Sequence, residues 1–329
     1  MLRRRKRVLI GIGLVVLGPA ALAAYSDWGA IAEALGRLHW AGFLAICALQ
    51  VGSIALCGAA WWALTEHAGF SACTAARWIR EGGSSILALL PGIGELGGAR
   101  ALKLFGAKSS DAAASTVVDI VTESLSQLVF TLFGIVPLLG AAGGSETVQA
   151  LGAVLAAVPP ALAILFVSRS KRALALLERV VVRIGEALGL AAAHLDLASN
   201  VRSLYGHRRR VVVAVVLHFV AWTLGAAQVW VAAQALGHPL PPASAWALVS
   251  LGYAARGAFF MVPMGAGVQE LSFVLVGSLL GVAEANAIAL SLVLRARDIA
   301  LGLPAVLAWF AAEARERSVN ARRSREVSV

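Results

Sequence analysis

The sequence predicts an all-α, polytopic membrane fold built from two inverted-topology repeats. Three observations predict it. Apolar runs of about 20 residues recur along the chain, the length an α-helix needs to cross a bilayer core. Two further apolar stretches are broken by proline and glycine at corresponding places in the two halves. Lysine and arginine collect in alternate connecting segments. The mean hydropathy of +0.81 is far above that of a soluble domain. So is the apolar share, 59% against 14% charged. The alternating strands of a membrane barrel are not seen. The net charge of +10 fits a positive-inside bias, and no nucleic-acid motif accompanies it. No nucleic-acid partner is therefore expected.

Taken in order, residues 1–7 are basic and residues 8–24 form a first span. This start resembles a signal peptide, but no exported domain follows, so an uncleaved span is expected. Residues 25–40 are a short amphipathic stretch whose Trp28, Leu35 and Trp40 suit the membrane interface. A second span covers 41–64, with Trp61 and Trp62 as interfacial anchors. Residues 72–108 are too few for two full spans and a loop, so a re-entrant hairpin is expected. Spans three to six are placed at 112–139, 148–167, 211–236 and 283–313, with a second re-entrant hairpin at 243–282. Between spans four and five, residues 168–210 are basic. Leu174, Leu177, Val181, Ile184 and Leu188 recur there at helical spacing, with arginines between them. This segment is read as a cytoplasmic surface touching anionic lipid. Residues 314–329 read as a basic, disordered cytoplasmic tail. The first repeat is thus 1–145 and the second 146–313.

Charge supports this layout. Residues 1–7, 67–109, 168–210 and 314–329 carry 5, 5, 9 and 5 of the chain's 28 Lys and Arg. That skew predicts a multi-pass protein of a bacterial inner membrane with both termini in the cytoplasm.

The two breaks are the candidate functional centre. In the first, Pro91 removes a backbone donor and Gly92 and Gly94 weaken the helix, with Glu95 and Arg100 following. In the second, Pro263, Gly265 and Gly267 precede Glu270. Each glutamate either caps a new half-helix or lines a cavity, and Glu95 is also placed to pair with Arg100. Arg80 and Glu81 are expected at the cytoplasmic mouth. Asp119 and Glu123 share one face of the third span, four residues apart. Arg295, Arg297 and Asp298 lie at comparable depth in the sixth. A charge at the centre of a span costs about 2.5–3.5 kcal/mol, so these residues call for an explanation. One is a structural ion pair joining the acids of one half to the arginines of the other. The other is a polar cavity that receives a lipid headgroup or a proton. Arg256, just before the second break, is a candidate contact for a headgroup phosphate or hydroxyl. His218, inside the fifth span, is either a hydrogen-bonded packing residue or a proton relay. Cys47, Cys57 and Cys73 lack metal or disulfide spacing and read as small packing residues. No phosphate-binding loop, zinc-protease motif or nucleophile elbow occurs, so no cofactor, metal or enzyme activity is expected.

These residues carry a resemblance. The segments 89–106 (LLPGIGELGGARALKLFG) and 114–123 (ASTVVDIVTE), with 262–282 and 289–298, resemble the flippase-like family related to the transmembrane region of lysylphosphatidylglycerol synthases. Members of that family show a proline–glycine segment ending in Glu, then a span with an arginine. Here those positions are Pro263, Gly265, Gly267, Glu270 and Arg295. The first motif and the DIVTE span are most similar to the branch associated with hopanoid biosynthesis. The resemblance implies handling of a hopanoid or another isoprenoid-derived lipid. The synthases' cytosolic aminoacyl-transfer domain is not found after the membrane region, so lysine transfer is not implied. The expected function is a lipid transporter or flippase whose site is lined by Glu95, Arg100, Asp119, Glu123, Arg256, Glu270, Arg295 and Asp298. The alternative is a non-transporting, lipid-binding subunit that docks a lipid-biosynthesis enzyme.

Overall fold

The structure, a computed structural model, describes residues 27–65, 68–87, 92–141, 197–258 and 267–327, together with a few positions between 170 and 179. Spans one and four, Pro91, Pro263, Gly265 and the leucine-rich face of 174–188 lie outside the described residues. Among the described residues the chain is helical, and no strand occurs.

Helix α1 (Trp28–Gly36) opens where the Asp27 carboxylate accepts the Ala30 amide at 3.0 Å, an N-cap bond. It buries Ile31 and Ala34 and leaves Trp28 exposed. Helix α2 (Trp40–Leu64) follows. The first hairpin is α3 (Phe70–Ile86) and α4 (Ile93–Leu104). The long α5 (Ser109–Ala141) closes this half. The second half starts with α6 (Leu197–Gly206) and α7 (Arg208–Ala235). Its hairpin is α8 (Pro242–Ala258) and α9 (Val268–Leu279), and α10 (Glu284–Val327) ends it.

Among the described residues, three helices are long and apolar enough to cross a membrane: α2, the Ser109–Leu138 part of α5, and α7. At 28 residues α7 is about 42 Å long, more than the hydrocarbon core requires. These helices expose apolar side chains outward, among them Leu44, Val51, Phe133, Val136, Val216 and Val220. In water such a surface would be costly, and in lipid it is matched. Helix α10 is not in this group, because Arg295, Arg297 and Asp298 interrupt its apolar part.

The helices pack in an exchanged pattern. Helix α7 runs along α2. In the first half α3 lies on α2 and α4, and α4 on α5; in the second, α8 lies on α7 and α9, and α9 on α10. Each hairpin then crosses to the last helix of the other half, α3 onto α10 and α8 onto α5. Close approach needs small residues. A Cβ on Gly94 would sit 2.6 Å from the Arg80 carbonyl oxygen, so glycine is what lets α4 press against α3. The largest core is aromatic-rich, with Phe130 and Trp246 at 4.8 Å between ring centroids and the Trp246 indole donating to the Phe130 carbonyl at 3.1 Å.

Three local expectations are corrected. Trp61 is fully buried and donates to the Ser115 hydroxyl at 3.0 Å, so of the two tryptophans only Trp62 faces outward. The segment beyond residue 313 is helical through Val327, continuing α10, where a disordered tail was expected. Glu313 and Arg317 lie one helical turn apart, and such a pair supports a helix that composition alone would not select. Arg208, Arg209 and Arg210 are the first turn of α7, and Leu197 and Val201 of α6 pack into the core against Leu64, Ala114 and Val118. The end of the basic segment is therefore part of the bundle.

Candidate functional site

Both half-helices after the breaks start in the same way. Gly92, at φ 84°, caps α4, and Gly267, at φ 76°, caps α9. Such a φ is strained for any residue with a Cβ, which is why glycine holds both corners. A glutamate stands three residues on in each case. Glu270 turns back and accepts the Gly267 amide at 2.9 Å, the capping role. Glu95 makes no such bond and instead lies 3.9 Å from Arg80.

Around these corners the charged side chains gather into two clusters, the first buried and the second half-buried. The first joins α3, α5 and α7. Arg77 donates to Glu123 at 2.9 and 2.5 Å and to Glu81 at 2.5 Å. Arg80 donates to Asp119 at 2.6 Å and to Glu123 at 2.9 Å. On the other side of Asp119, His218 Nε2 lies 3.0 Å from Oδ1. Arg77 and Arg80 are 4% and 6% exposed, and Asp119 and His218 are 0%, so every one of these charges depends on its partners. Two guanidinium groups face the carboxylates of Glu81, Asp119 and Glu123, with Glu95 farther out, 3.9 Å from Arg80, so the acids are in formal excess.

The second cluster joins α8, α9, α10 and α7. Arg295 donates twice to Glu270 Oε1, at 2.9 and 2.6 Å, so this glutamate is both cap and ion-pair partner. Arg297 holds Asp298 at 3.1 and 2.5 Å and donates to Gln228 of α7, which in turn donates to Gln50 of α2 at 3.1 Å. Arg256 lies 3.4 Å from Gln269 and 3.7 Å from Asp298. Three guanidiniums here face two carboxylates, an excess of one positive charge.

Each cluster lies a similar distance from the start of its own half's last helix. Asp119 is ten residues into α5 and Arg295 eleven into α10, about 15 Å along each helix. His218 and Gln228 put both clusters on one helix, α7, about 15 Å apart.

The geometry changes which charges meet. The acids of α5 pair with Arg77 and Arg80 of their own half, and Arg295 pairs with Glu270 of its own half; the ion pair between α5 and α10, one of the two explanations raised for these charges, does not form. Arg80 is in the centre of the first cluster and not at a mouth. Arg100 is not at either cluster: it donates to Glu313 at 2.7 and 2.9 Å, clamping α4 to the far part of α10 in place of pairing with Glu95. This hydrogen bond holds the Glu313 carboxyl below its usual range. Of the predicted site residues, Asp119 and Glu123 belong to the first cluster, with Glu95 at its edge. Arg256, Glu270, Arg295 and Asp298 form the second.

Sequence reasoning left out Arg77, Gln50 and Gln228. A signal was present for the first, because Arg77 and Arg80 are three apart and share a helix face as Asp119 and Glu123 do. The two glutamines are single polar residues in apolar runs, a weaker cue.

Cys57, Glu123 and His218 offer ligand atoms within 4.8 Å of one another. Both Glu123 oxygens, however, accept from arginines, and a cation there would face two guanidiniums. The donor set does not fit a metal.

No curated protein and no solved structure matches the chain. The family model described as the lysylphosphatidylglycerol synthase TM region matches residues 8–305. That match, on a helical bundle with membrane-length helices, shows a multi-pass membrane protein of a family linked to lipid synthesis or transport, and the chain belongs to the lysylphosphatidylglycerol synthase transmembrane-region family.

Proposed function

We propose that this protein moves a lipid across or within a bacterial inner membrane as a flippase-like transporter, without covalent chemistry of its own. One observation carries the reading: two charge clusters lie inside the helical bundle, the second where the glycine-capped α9 meets α10, and each hairpin packs on the other half's last helix. Charged groups at such depth are costly unless they serve a site. In this reading the halves are inverted repeats, the hairpins are re-entrant and both termini face the cytoplasm. The repeats would rock about the α2–α7 contact.

The second cluster is the candidate headgroup site. Its excess positive charge suits an anionic or hydroxylated headgroup. Arg256 is its most accessible guanidinium, with a side chain 30% exposed and contacts longer than the bidentate pairs. The apolar part of the substrate, a hopanoid or other isoprenoid-derived lipid, would remain against the apolar outer faces of the spans. Anionic lipid would meet the basic segment 168–210.

Mass spectrometry of lipid retained in native nanodiscs tests this. Wild type should enrich one lipid class over the surrounding membrane, and an Arg256→Gln/Arg295→Gln variant should lose that enrichment while staying inserted. Bulk membrane lipid in both proteins would overturn the headgroup site. It would favour the second reading, a lipid-binding subunit that scaffolds a biosynthetic partner through the basic segment. Trimming that segment separates the two readings if the deletion stops before Leu197, where α6 joins the core.

A further inference from the structure

The Asp119–His218 contact joins the last helix of the first half, α5, to the first long helix of the second, α7. His218 is fully buried. Asp119 accepts from Arg80 as well, so it is held as an acceptor, and the ring proton that faces it sits on Nε2. That leaves Nδ1, which is buried and has no hydrogen-bond partner. A buried ring nitrogen without a hydrogen-bond partner, close to the Glu123 carboxylate and the Cys57 thiol, is placed to accept a proton. The charge balance points the same way: with His218 neutral the carboxylates around the ring outnumber the two guanidinium groups, and a proton on Nδ1 reduces that negative excess by one.

We propose that His218 is an intramembrane proton-binding site and that the proton sets how firmly the two halves are joined. A proton from water forms an N–H bond at Nδ1, while the Nε2–H bond to Asp119 is kept. The neutral hydrogen bond between α5 and α7 thereby becomes an ion pair, and release of the proton to water reverses it. Glu81, whose side chain is 38% exposed, shares the Arg77 guanidinium with Glu123. Glu123 and the Cys57 thiol of α2 lie within 4.8 Å of the ligand atom of His218. The remaining charged groups around the ring are Arg77 and Arg80 of α3 and Asp119 of α5. Packed on α7 elsewhere, α6 brings Tyr205 and an exposed Arg202, α8 brings Tyr253 against Trp222 (one turn on), and α10 brings Arg297 to Gln228. That the proton drives lipid movement rests on the transport reading above; that it binds does not.

The test separates the two. Protein labelled with 15N-histidine, in vesicles of phosphatidylethanolamine and phosphatidylglycerol, is followed by solid-state NMR from about pH 5 to about pH 10, around the ordinary histidine range. The His218 signal is the one missing in His218→Gln. It should pass from imidazolium to neutral ring within that range. In Asp119→Asn the midpoint should fall by at least about one pH unit, a tenfold loss of proton affinity. A ring that keeps one protonation state throughout, in wild type and in Asp119→Asn, overturns the proposal. The same vesicles, with a trace of fluorescent phosphatidylglycerol and pyranine inside, report lipid and proton movement. A pH gradient should change the rate of lipid movement in wild type and leave His218→Gln unaffected. A titrating ring with no lipid movement would keep the proton site and reject the transport reading.

Discussion

Arg80 bridges Asp119 and Glu123, and its energetic role can be worked out from its contacts. Replacing it with glutamine removes the 2.6 Å bond to Asp119 and the 2.9 Å bond to Glu123. Two buried carboxylates then share Arg77 alone, and the formal negative excess rises by one. Breaking a buried pair by removing one partner costs about 3–5 kcal/mol. Asp119→Asn should cost a similar amount, because Arg80 loses its shortest contact and His218 loses a charged acceptor. Combining the two restores the original charge balance. The double variant should therefore lose much less than the roughly 6–10 kcal/mol that simple addition gives, with a coupling energy near the top of the about 0.5–3 kcal/mol range for contacting residues. The assay is reversible unfolding of the four proteins in mixed detergent micelles, monitored by far-UV circular dichroism. A double variant whose loss equals the sum of the single losses within about 0.5 kcal/mol would show that Arg80 and Asp119 do not act as a pair.

Two further outcomes follow from the hairpin and its clamp. Gly92→Ala adds a Cβ that meets no atom within 4 Å, so its cost is the backbone strain at φ 84° alone, about 1–2 kcal/mol. Gly94→Ala should cost about 1–3 kcal/mol by a different route, pushing α4 off the Arg80 carbonyl; equal unfolding curves for both variants and wild type would contradict this account of the corner. The Arg100–Glu313 pair predicts a pH effect. The Glu313 carboxyl is depressed in the folded protein, so the pair's stabilisation is present above the unfolded carboxylate range and is lost as pH falls through the folded value. Melting temperature should therefore drop more in wild type than in Glu313→Gln on acidification below about pH 5, by an amount of about 1 kcal/mol or less for a partly exposed pair. Parallel melting curves would exclude a contribution from this bond.

Much of the fold was legible because helix formation is local. The span placed at 41–64 is α2, and those at 112–139 and 211–236 fall within a few residues of α5 and α7. The second break's glutamate was legible as a cap, since a glycine corner followed by Glu at the third position is a local motif. The depth of Asp119 and of Arg295 could also be counted along the chain.

What the sequence by itself determined, then, is where the helices run, where they break, and that charged residues lie deep inside them. Backbone hydrogen bonding and apolar length decide these within a few turns. Only the tertiary structure decided which charge meets which. Arg77 and Arg80 come to Asp119 and Glu123 because α3 and α5 both pack on α2, within reach of the long arginine side chains. Arg100 reaches Glu313, which is 213 residues away, because α4 lies against α10. Trp61 turns inward because Ser115 is there to accept its N–H. Ion-pair partners are set by helix neighbours, and helix neighbours depend on contacts between residues far apart in the chain, which no local pattern encodes.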